Sequence, residues 1–558
     1  MRPETQTLLF VGVMAVLVYL VIPPLVFVVQ TSFLSLRGFE SQGLSLKNYA
    51  SVLSAPDMAR LIVNSLTFAI GSSIVGLVLG TSLAWLVERT NTPFRRAAYL
   101  TAFISIAVPG IIKVVGWILL LGPRNGLLNV WIARLGAPSF NIFSMQGMVL
   151  VEGILWTPVV FLLMAVPFRS MDPALEEASS IAGAGHWKTF YYVTFKLATP
   201  SVLSVLLLTF IRSMEAFEIP ALIGIPSRVA VFTTEIYFKS RRGFPPNYGE
   251  ASAYSVLLML FVVLGIFLYS RATRLAQQFY TITGRGFRPK LIDLGRWRYL
   301  TGALILLLPL LIILPILILL WASMVPVYTQ PSLQSLASLT GQNYFGAFEN
   351  SNVQNAVRNT LIIALTSATF TMLITAVAAW LMVRTRLPHR WTLDMLASFT
   401  LVFPGVVLGV ALIRTYLTLP IPIYGTIWIL IIAYLTRFVS YGMRYSLPGI
   451  LQIHQELEES SMVSGASWSA TFRRIVVPLM MPALFGGWIW VFLISVRELS
   501  IAIMLSGPRS QVISVALFEL WEDGQLTEMA AFAMVVTGGV TVLATLFHRI
   551  SQQYGVHA

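Results

Sequence analysis

The chain has 558 residues, of which 57% are hydrophobic and only 11% are charged, against roughly 25% charged residues in soluble globular proteins. With a mean hydropathy of +0.79 it cannot cover a water-facing surface, which excludes a soluble enzyme, a disordered protein and a fibrous protein. Cysteine is absent, which excludes disulfides, thiolate metal sites and cysteine nucleophiles. We interpret the net charge of +14 as the basic loops of a polytopic α-helical membrane protein rather than as a nucleic-acid surface.

Apolar stretches long enough to cross a bilayer recur along the whole chain. A spanning helix needs about 20 mostly apolar residues. The sequence predicts about 12 such helices, at 8–30, 61–87, 97–122, 145–168, 197–217, 250–270, 299–324, 357–382, 391–417, 424–447, 479–500 and 528–547.

Loop charges predict the orientation, because cytoplasmic loops retain lysine and arginine. Loops 88–96 and 383–390 contain three arginines each, and segment 271–298 contains seven basic residues and one aspartate. Segment 325–356, on the opposite side, contains no lysine or arginine, whereas loop 218–249, with four basic residues, fits this topology least well. We therefore predict that both termini and segment 271–298 are cytoplasmic.

The two halves of the chain repeat each other. Pairs at one constant offset match in the first part of each half, namely Tyr49 and Tyr344, Trp85 and Trp380, Arg89 and Arg384, and Pro109-Gly110 and Pro404-Gly405. Pairs at a second, shorter constant offset match further on, namely Glu177 and Glu459, Gly183 and Gly465, and Pro226 and Pro508. Six spans per half return the chain to its starting side, so the repeats are parallel. This predicts halves at 1–270 and 299–558, a basic linker at 271–298, and a transport pathway between similar halves.

A short motif lies between the fourth and fifth spans of each half, near 172–196 and near 448–478. The residues concerned are Glu177, Ala178, Ser179 and Gly183 in the first copy and Glu459, Ser460, Ser461, Gly465 and Pro478 in the second. Asp172-Pro173 and Leu447-Pro448 precede the two copies, and proline is tolerated at a helix start. We therefore expect a short helix that ends in a glycine turn. A solvated loop helix without a partner is the alternative.

These residues resemble the EAA loop of ABC importer permeases, written E-A-A, three residues, G, nine residues, I-x-L-P. The resemblance implies a type I ABC importer fold, in which each loop docks on an ATPase subunit and couples it to the pore. It implies a periplasmic binding protein that delivers the substrate and two copies of a separate ATPase that bind ATP and Mg. The chain itself has no P-loop sequence. It departs from the pattern with Ser179 and Ser461 in place of alanine and with Lys196 in place of proline.

Residues inside the predicted spans are candidates for the translocation pathway. Pro109-Gly110 and Pro404-Gly405 break the helical hydrogen-bond ladder, and free backbone at membrane depth is tolerated where it lines a cavity. An ordinary kink is the alternative. Four charged side chains also lie in or near spans, where charges are expensive, namely Lys113, Glu152, Arg497 and Glu498. Lys113 and Glu152 could instead neutralise each other.

A narrower resemblance concerns the cargo. The stretches 217–224, 283–296, 496–500 and 517–528 look like the ferric iron permease group, which is similar to the thiamine and phosphonate permeases. This implies transport of ferric iron or a ferric chelate. A small organic solute such as a phosphonate, thiamine or a polyamine remains open, as does a secondary transporter, which would need no ATPase. We expect no catalytic residue and no metal site, because neither a catalytic constellation nor a metal-ligand spacing stands out.

Overall fold

The computed structural model describes residues 3–37, 40–277 and 291–553, and most of these residues are helical. A two-stranded antiparallel sheet, β1 (Leu34–Arg37) and β2 (Glu40–Leu44), follows the first helix. The helices up to the linker are α1 (Pro3–Ser32), α2 (Lys47–Leu53), α3 (Met58–Arg89), α4 (Arg95–Ala107), α5 (Gly110–Leu121), α6 (Leu127–Arg134), α7 (Met145–Ser170), α8 (Pro173–Ile181), α9 (His186–Thr189), α10 (Phe195–Glu215), α11 (Phe232–Tyr237) and α12 (Tyr248–Gln277).

The second half follows the same order. Its helices are α13 (Trp297–Ser323), α14 (Gln342–Glu349), α15 (Ser351–Arg384), α16 (Thr392–Phe399), α17 (Gly405–Thr418), α18 (Ile427–Leu451), α19 (Gln455–Val463), α20 (Trp468–Thr471), α21 (Val477–Val496), α22 (Ala502–Leu505), α23 (Ile513–Glu522) and α24 (Leu526–Gln553). Short 3-10 turns occur at Ser335–Ser338 and Thr400–Val402, and π turns at Phe190–Thr194, Pro220–Gly224, Phe238–Arg242 and Phe472–Val476.

Ten of the twelve predicted spans are continuous helices, and two are broken. Within the described residues, ten helices are long and apolar enough to cross a membrane, and two bent pairs bring the number to twelve if each is one span. The two broken spans are those predicted at 97–122 and 391–417, where a Pro-Gly pair was expected to break the helical hydrogen-bond ladder. Arg95–Ala107 meets Gly110–Leu121 at 107°, and Thr392–Val402 meets Gly405–Thr418 at 106°.

Both breaks lie at the Pro-Gly pairs. Val108 and Pro109 have ψ of 129° and 139°, and Phe403 and Pro404 have ψ of 106° and 146°. Two consecutive extended residues take the chain out of the helical region, because proline has no N–H to donate and pushes the preceding residue away from helix. A new helix then begins at the glycine.

The difference in length between the halves lies in one loop. The stretch from the Pro-Gly glycine to the motif glutamate runs over 110–177 in the first half and over the shorter range 405–459 in the second. Helix α6 occupies this region, between α5 and α7. The corresponding residues 419–426 are all described and contain no helix. The insertion therefore builds an extra helix without changing the order of the spans.

The chain packs as two compact units, of residues 1–55, 236–259 and 344–558 and of residues 56–235 and 260–343. In the first unit α15 packs along α18 and α21, and α1 packs against α16 and α17. In the second unit α3 packs along α7 and α10, and α13 packs against α4 and α5. The first helix of each half therefore belongs to the unit formed mainly by the other half.

The repeat extends to individual hydrogen bonds. The Asn48 amide donates to the carbonyl oxygens of Ser32 and Leu34, at 3.1 and 2.8 Å. Asn343, its counterpart in the second half, donates to two carbonyl oxygens at the end of α13, at 2.9 and 2.8 Å. The last carbonyls of a helix have no partner within it. An asparagine therefore terminates the first helix of each half in the same way.

The contact of α5 with α13 predicts which glycine cannot be replaced. A Cβ added to Gly116 would lie 2.4 Å from the backbone oxygen of Pro315, whereas a Cβ on Gly539 would meet nothing within 4 Å. Overpacking against backbone costs about 1–3 kcal/mol. We expect Gly116→Ala to lower the melting temperature in detergent and Gly539→Ala, with the same gain in helix propensity, to leave it unchanged or raised. Equal melting temperatures for the two variants would contradict this packing.

Candidate functional site

The two motif copies form short helices at matched places, and we name α8 and α19 the motif helices. The Asp172 carboxylate accepts a hydrogen bond from the Ala174 amide at 2.8 Å and caps the start of α8, with Pro173 in its first turn. The expectation that Pro448 would mark the start of the second copy is wrong. Pro448 lies inside α18, and the second motif helix begins at Gln455.

Each motif helix ends in a turn that requires positive φ. Gly183 has φ +83°, and Gly465 has φ +86°. The Gly183 amide donates to the Ser180 carbonyl and the Ala184 amide to the Ser179 carbonyl, both at 3.0 Å. The second copy has the same two bonds, at 3.0 and 3.1 Å. This is the glycine-terminated helix end expected from the sequence, and a side chain would be strained there for reasons of backbone conformation alone.

The outer face of each motif helix carries exposed aliphatic side chains. Ile181 and Val463, which correspond in the repeat, are each 88% exposed, and Leu175 and Leu457, which also correspond, are 45% and 46% exposed. The motif residues Glu177, Ala178, Glu459 and Ser460 are exposed as well. Matched exposed apolar residues make this face of each motif helix a candidate site of protein contact. Nothing in the sequence singled out these four aliphatic residues.

The inner face of each motif helix is fixed by a buried ion pair. Arg89, at the end of α3, contacts Glu176, and its side chain is 0% exposed. Arg384, at the end of α15, donates from Nε to Glu458 at 2.6 Å. Arg89 and Arg384 are related by the first offset of the repeat, and Glu176 and Glu458 by the second. The same ion pair therefore occurs at corresponding positions in both halves. The Glu176-Glu177 and Glu458-Glu459 doublets carry this signal in the sequence, but only the second member of each was singled out.

Each buried carboxylate has a second donor, and here the two copies differ. The Thr194 hydroxyl donates to Glu176 at 2.6 Å. In the second copy Val476 replaces that threonine, and the indole N–H of Trp380 donates to Glu458 at 3.2 Å. A carboxylate removed from water needs such donors in addition to its counter-ion. Both copies meet this requirement with different side chains.

The serines that depart from the family pattern have a structural role. The Ser179 hydroxyl lies 2.9 Å from the Thr189 hydroxyl, and Ser461 lies 2.9 Å from Thr471. These bonds join each motif helix to the short helix that follows its glycine. The serine at this position therefore stabilises the helical hairpin in both copies.

A π turn follows the hairpin in both halves, at Phe190–Thr194 and Phe472–Val476. The rings of Trp85 and Phe190 lie 5.1 Å apart, and those of Trp380 and Phe472 lie 6.1 Å apart. Pro478 lies in the first turn of α21, directly after the second π turn. In the first half Lys196 occupies this place, with its ammonium 5.4 Å from the centre of the Tyr192 ring.

The end of the linker contacts the first motif region. Ile292 forms a parallel bridge with Thr90, and the Asn91 amide donates to the Asp293 carboxylate at 2.6 Å. Hydrogen bonds from the Gly295 amide and from Asn91 hold the pKa of Asp293 below its usual range. Residues 291–293, α8 and the following π turn line a cavity of about 620 Å³. The remainder of the linker at 278–290, including three of its basic residues, lies outside the described residues.

A carboxylate lies beside the glycine of each Pro-Gly break. A Cβ on Gly110 would lie 1.8 Å from a carboxylate oxygen of Glu218, and a Cβ on Gly405 would lie 3.4 Å from one of Glu498. Glu498 also accepts a hydrogen bond from the Ile501 amide at 3.1 Å, and Arg497 precedes it at the end of α21. Each break thus combines extended backbone with a nearby carboxylate. Glu218 was quoted in the sequence analysis only as part of a stretch.

Cationic side chains near the breaks support the bent backbone. Lys113, on α5, donates to the carbonyl oxygen of Ser105 in the last turns of α4, at 2.9 Å. Arg437, on α18, donates to the carbonyl oxygen of Phe403 just before the second break. Glu152 accepts from the Trp156 indole at 2.8 Å. Lys113 therefore satisfies backbone freed by the break, in addition to any neutralisation of Glu152.

Among the described residues, no group of three histidine, aspartate or glutamate side chains is placed to hold a metal ion.

The buried ion pair predicts a non-additive response to mutation. Removing one partner leaves a buried charge and costs about 3–5 kcal/mol, whereas removing both costs less. We expect Arg384→Met and Glu458→Gln each to lower the melting temperature strongly, and the double variant to recover part of the loss. Glu522→Gln is the control, because Glu522 pairs with Arg242 in an exposed position, where an ion pair is worth at most about 1 kcal/mol. Additive losses in the double variant would contradict the pairing.

Comparison with known proteins places this site in a family. The profile described as "Binding-protein-dependent transport system inner membrane component" matches residues 76–280 and 376–554, which together are more than half of the chain. The ferric transport system permease protein FbpB of Actinobacillus pleuropneumoniae is 26% identical over 503 residues, covering 89% of this chain and 72% of that protein. A putative ferric transport system permease protein FbpB 1 of Haemophilus influenzae is 27% identical over 473 residues, covering 83% and 73%.

A solved bacterial ABC transporter involved in the import of the polysaccharide alginate overlaps with 46% of this chain and 88% of its own, at 18% identity and a TM-score of 0.38. That score is too low to carry weight. The family profile is the stronger finding, because it matches twice, once around each motif helix and its preceding spans. This multi-pass membrane protein therefore belongs to the family of binding-protein-dependent transport system inner membrane components, as a fused permease of two repeats.

Proposed function

We propose that this ABC importer permease moves ferric iron, free or carried by a small chelator, into the cytoplasm. The proposed ferric cargo rests on the similarity to relatives named ferric transport system permeases. This similarity extends over 83% and 89% of the chain and through both repeats. The residues at the two breaks are compatible with a pathway for ferric iron, but they do not form a metal-binding site. A lining of backbone and apolar side chains, with one carboxylate at each break, suits brief passage, whereas many hard oxygen ligands would retain a trivalent ion.

The ATPase partner is the second part of the proposal. Two copies of a cytoplasmic ATP-binding-cassette ATPase, with ATP and Mg, dock on the two motif helices through Leu175, Ile181 and their counterparts Leu457 and Val463. The support is the matched exposure of these aliphatic residues on helices held rigidly from behind by Arg89 and its counterpart. Closure of the ATPases then moves each motif helix, and the buried ion pair transmits that movement to the end of a spanning helix.

The binding protein and the membrane orientation complete the proposal. A periplasmic binding protein delivers the cargo to the outer side of a permease in the bacterial inner membrane, with both termini in the cytoplasm and lipid around the spans. No nucleic acid takes part. The pathway runs past Pro109-Gly110 and Pro404-Gly405, with Glu218 and Glu498 beside the glycines.

Docking of the motif helices can be separated from backbone strain. Gly465 and Gly425 both have positive φ, at +86° and +77°, and a Cβ on either would meet nothing within 4 Å. Gly465→Arg and Gly425→Arg should therefore lose similar stability, about 1–2 kcal/mol. We expect only Gly465→Arg to lose transport and the stimulation of ATP hydrolysis by the loaded binding protein. Gly183→Arg should lose less, because the first copy has Lys196 where the second has Pro478.

Equal transport by the Gly465→Arg and Gly425→Arg variants, at equal expression, would contradict the docking role of the motif helices. The motif helices would then be ordinary loop helices.

The orientation predicts which side of the membrane an added cysteine reaches. The chain has no cysteine, so single Ser338→Cys and Ser464→Cys variants each carry one thiol at an exposed position. An impermeant thiol reagent applied to intact cells with a permeabilised outer membrane should label only the Ser338→Cys variant. After lysis both variants should react. Labelling of Ser464→Cys in intact cells would place the second motif helix out of reach of ATP and overturn the docking proposal.

The cargo is tested by uptake into proteoliposomes that contain the permease, its ATPase and its cognate binding protein. We expect ATP-dependent accumulation of radioactive iron supplied as ferric citrate, and none with an ATPase variant that cannot hydrolyse ATP. Accumulation of a phosphonate, thiamine or a polyamine without iron uptake would refute the ferric cargo and leave the importer unaffected. Uptake driven by an ion gradient without ATP would indicate a secondary transporter instead.

A further inference from the structure

One cavity lies away from the motif helices and from both breaks. It measures about 340 Å³ and lies where the end of α1 meets the end of α17, within a single packing unit. Its polar lining residues are Gln30, Thr31, Thr418 and Arg414. The volume falls within the range of small-ligand pockets.

Arg414 is buried without a carboxylate. It is 7% exposed, and its Nε donates to the Thr31 hydroxyl over a long 3.4 Å. Its guanidinium carbon lies 5.9 Å from the centre of the Tyr248 ring. In the part of the chain that the structure describes, no aspartate or glutamate lies within ion-pair distance of this side chain.

This arrangement is unlike that of the other buried arginines at helix ends. Arg89 and Arg384 are each neutralised by a glutamate from a motif helix. A buried charge is retained only where something compensates for its lost hydration. For Arg414, a long hydrogen bond and a distant aromatic ring compensate only weakly. Four of the five N–H groups of the guanidinium remain for a further partner.

We propose that this cavity binds an oxyanion, a phosphate or carboxylate group held by Arg414. The planar fork of a guanidinium matches two oxygens of such a group. The Gln30 amide and the Thr31 hydroxyl supply further polar contacts from the end of α1. The group is carried either by an anionic lipid, since Phe27 and Leu417 line the same cavity, or by a free anion. The residue at the matching place in the first half is Leu119, so the site belongs to the second repeat alone.

The first arm of the test uses free phosphate. The full-length chain is purified in uncharged detergent, stripped of lipid, and titrated with sodium phosphate against sodium chloride at constant ionic strength. The melting temperature should rise with phosphate, because binding stabilises the folded state in proportion to the logarithm of one plus the ratio of the phosphate concentration to the dissociation constant. Arg414→Gln should raise the apparent dissociation constant about tenfold or more, because a charge-assisted bond is lost. Thr31→Val, which keeps the charge, should raise it less, and Arg60→Gln, at a residue that is 77% exposed, should leave it unchanged.

The second arm uses lipid. The same variants are placed in nanodiscs of phosphatidylcholine with or without phosphatidylglycerol, and bound lipid is counted by native mass spectrometry after release. Retention of phosphatidylglycerol that Arg414→Gln abolishes and Arg60→Gln does not assigns the oxyanion to a lipid headgroup. A phosphate response without selective lipid retention assigns it to a free anion. If wild-type protein and the Thr31→Val and Arg60→Gln variants, all of which keep Arg414, show neither response, the proposal is wrong.

Discussion

A buried arginine at the end of a long apolar helix has to be neutralised, and this requirement fixes where each motif helix lies. Arg89 is fully enclosed, and its carboxylate partner is brought by the chain after α7. Glu176 and Ser179 share one helix face because they are three residues apart, so the ion pair and the hydrogen bond to Thr189 hold the same side. Leu175 and Ala178 are then turned outward. The exposed aliphatic surface is thus a consequence of the buried charge.

A similar requirement applies within the membrane-spanning region, where backbone carbonyls without hydrogen-bond partners are energetically unfavourable. A Pro-Gly pair leaves carbonyls without intrahelical partners, and in a membrane each must be satisfied by the protein. Lys113 does this for α4 and Arg437 for the residue before the second break. In each half a cationic side chain donates to a backbone carbonyl near the break, but the two cations lie on helices that do not correspond in the repeat. The bend is therefore stabilised by tertiary contacts as well as by the local sequence. A flexible kink would not need such supports.

Much of this could be predicted from the sequence, because hydrophobicity, proline and glycine act locally. Ten spans, the two breaks and the glycine turns follow from composition and from the constant offsets between the halves. The sharp bends could not be predicted, since Pro109 sets only the position of the break and the angle depends on packing. The pairing of α13 with α5 depends on contacts such as Gly116 against Pro315, which no periodicity encodes. Pro448 was wrongly expected to mark the start of the second motif helix, because a proline can lie near the end of a helix as well as near its start.

The ion pair itself was missed for a related reason. The glutamate that resembles the family pattern, Glu177, is exposed, and its neighbour Glu176 performs the structural work. Only the three-dimensional position of Arg89 tells the two apart. A motif match therefore identifies the segment, whereas the role of each residue in it depends on which helix face is buried.

On the proposed docking of the motif helices, one chain binds two ATPase subunits, one at each repeat. The most direct measurement is the native mass of the complex purified from its source in mild detergent. We expect one permease chain with two ATPase chains, and one ATPase chain after either the Leu175→Glu, Ile181→Glu or the Leu457→Glu, Val463→Glu double substitution. A wild-type complex that contains no ATPase, or a stoichiometry that neither double substitution changes, would contradict it.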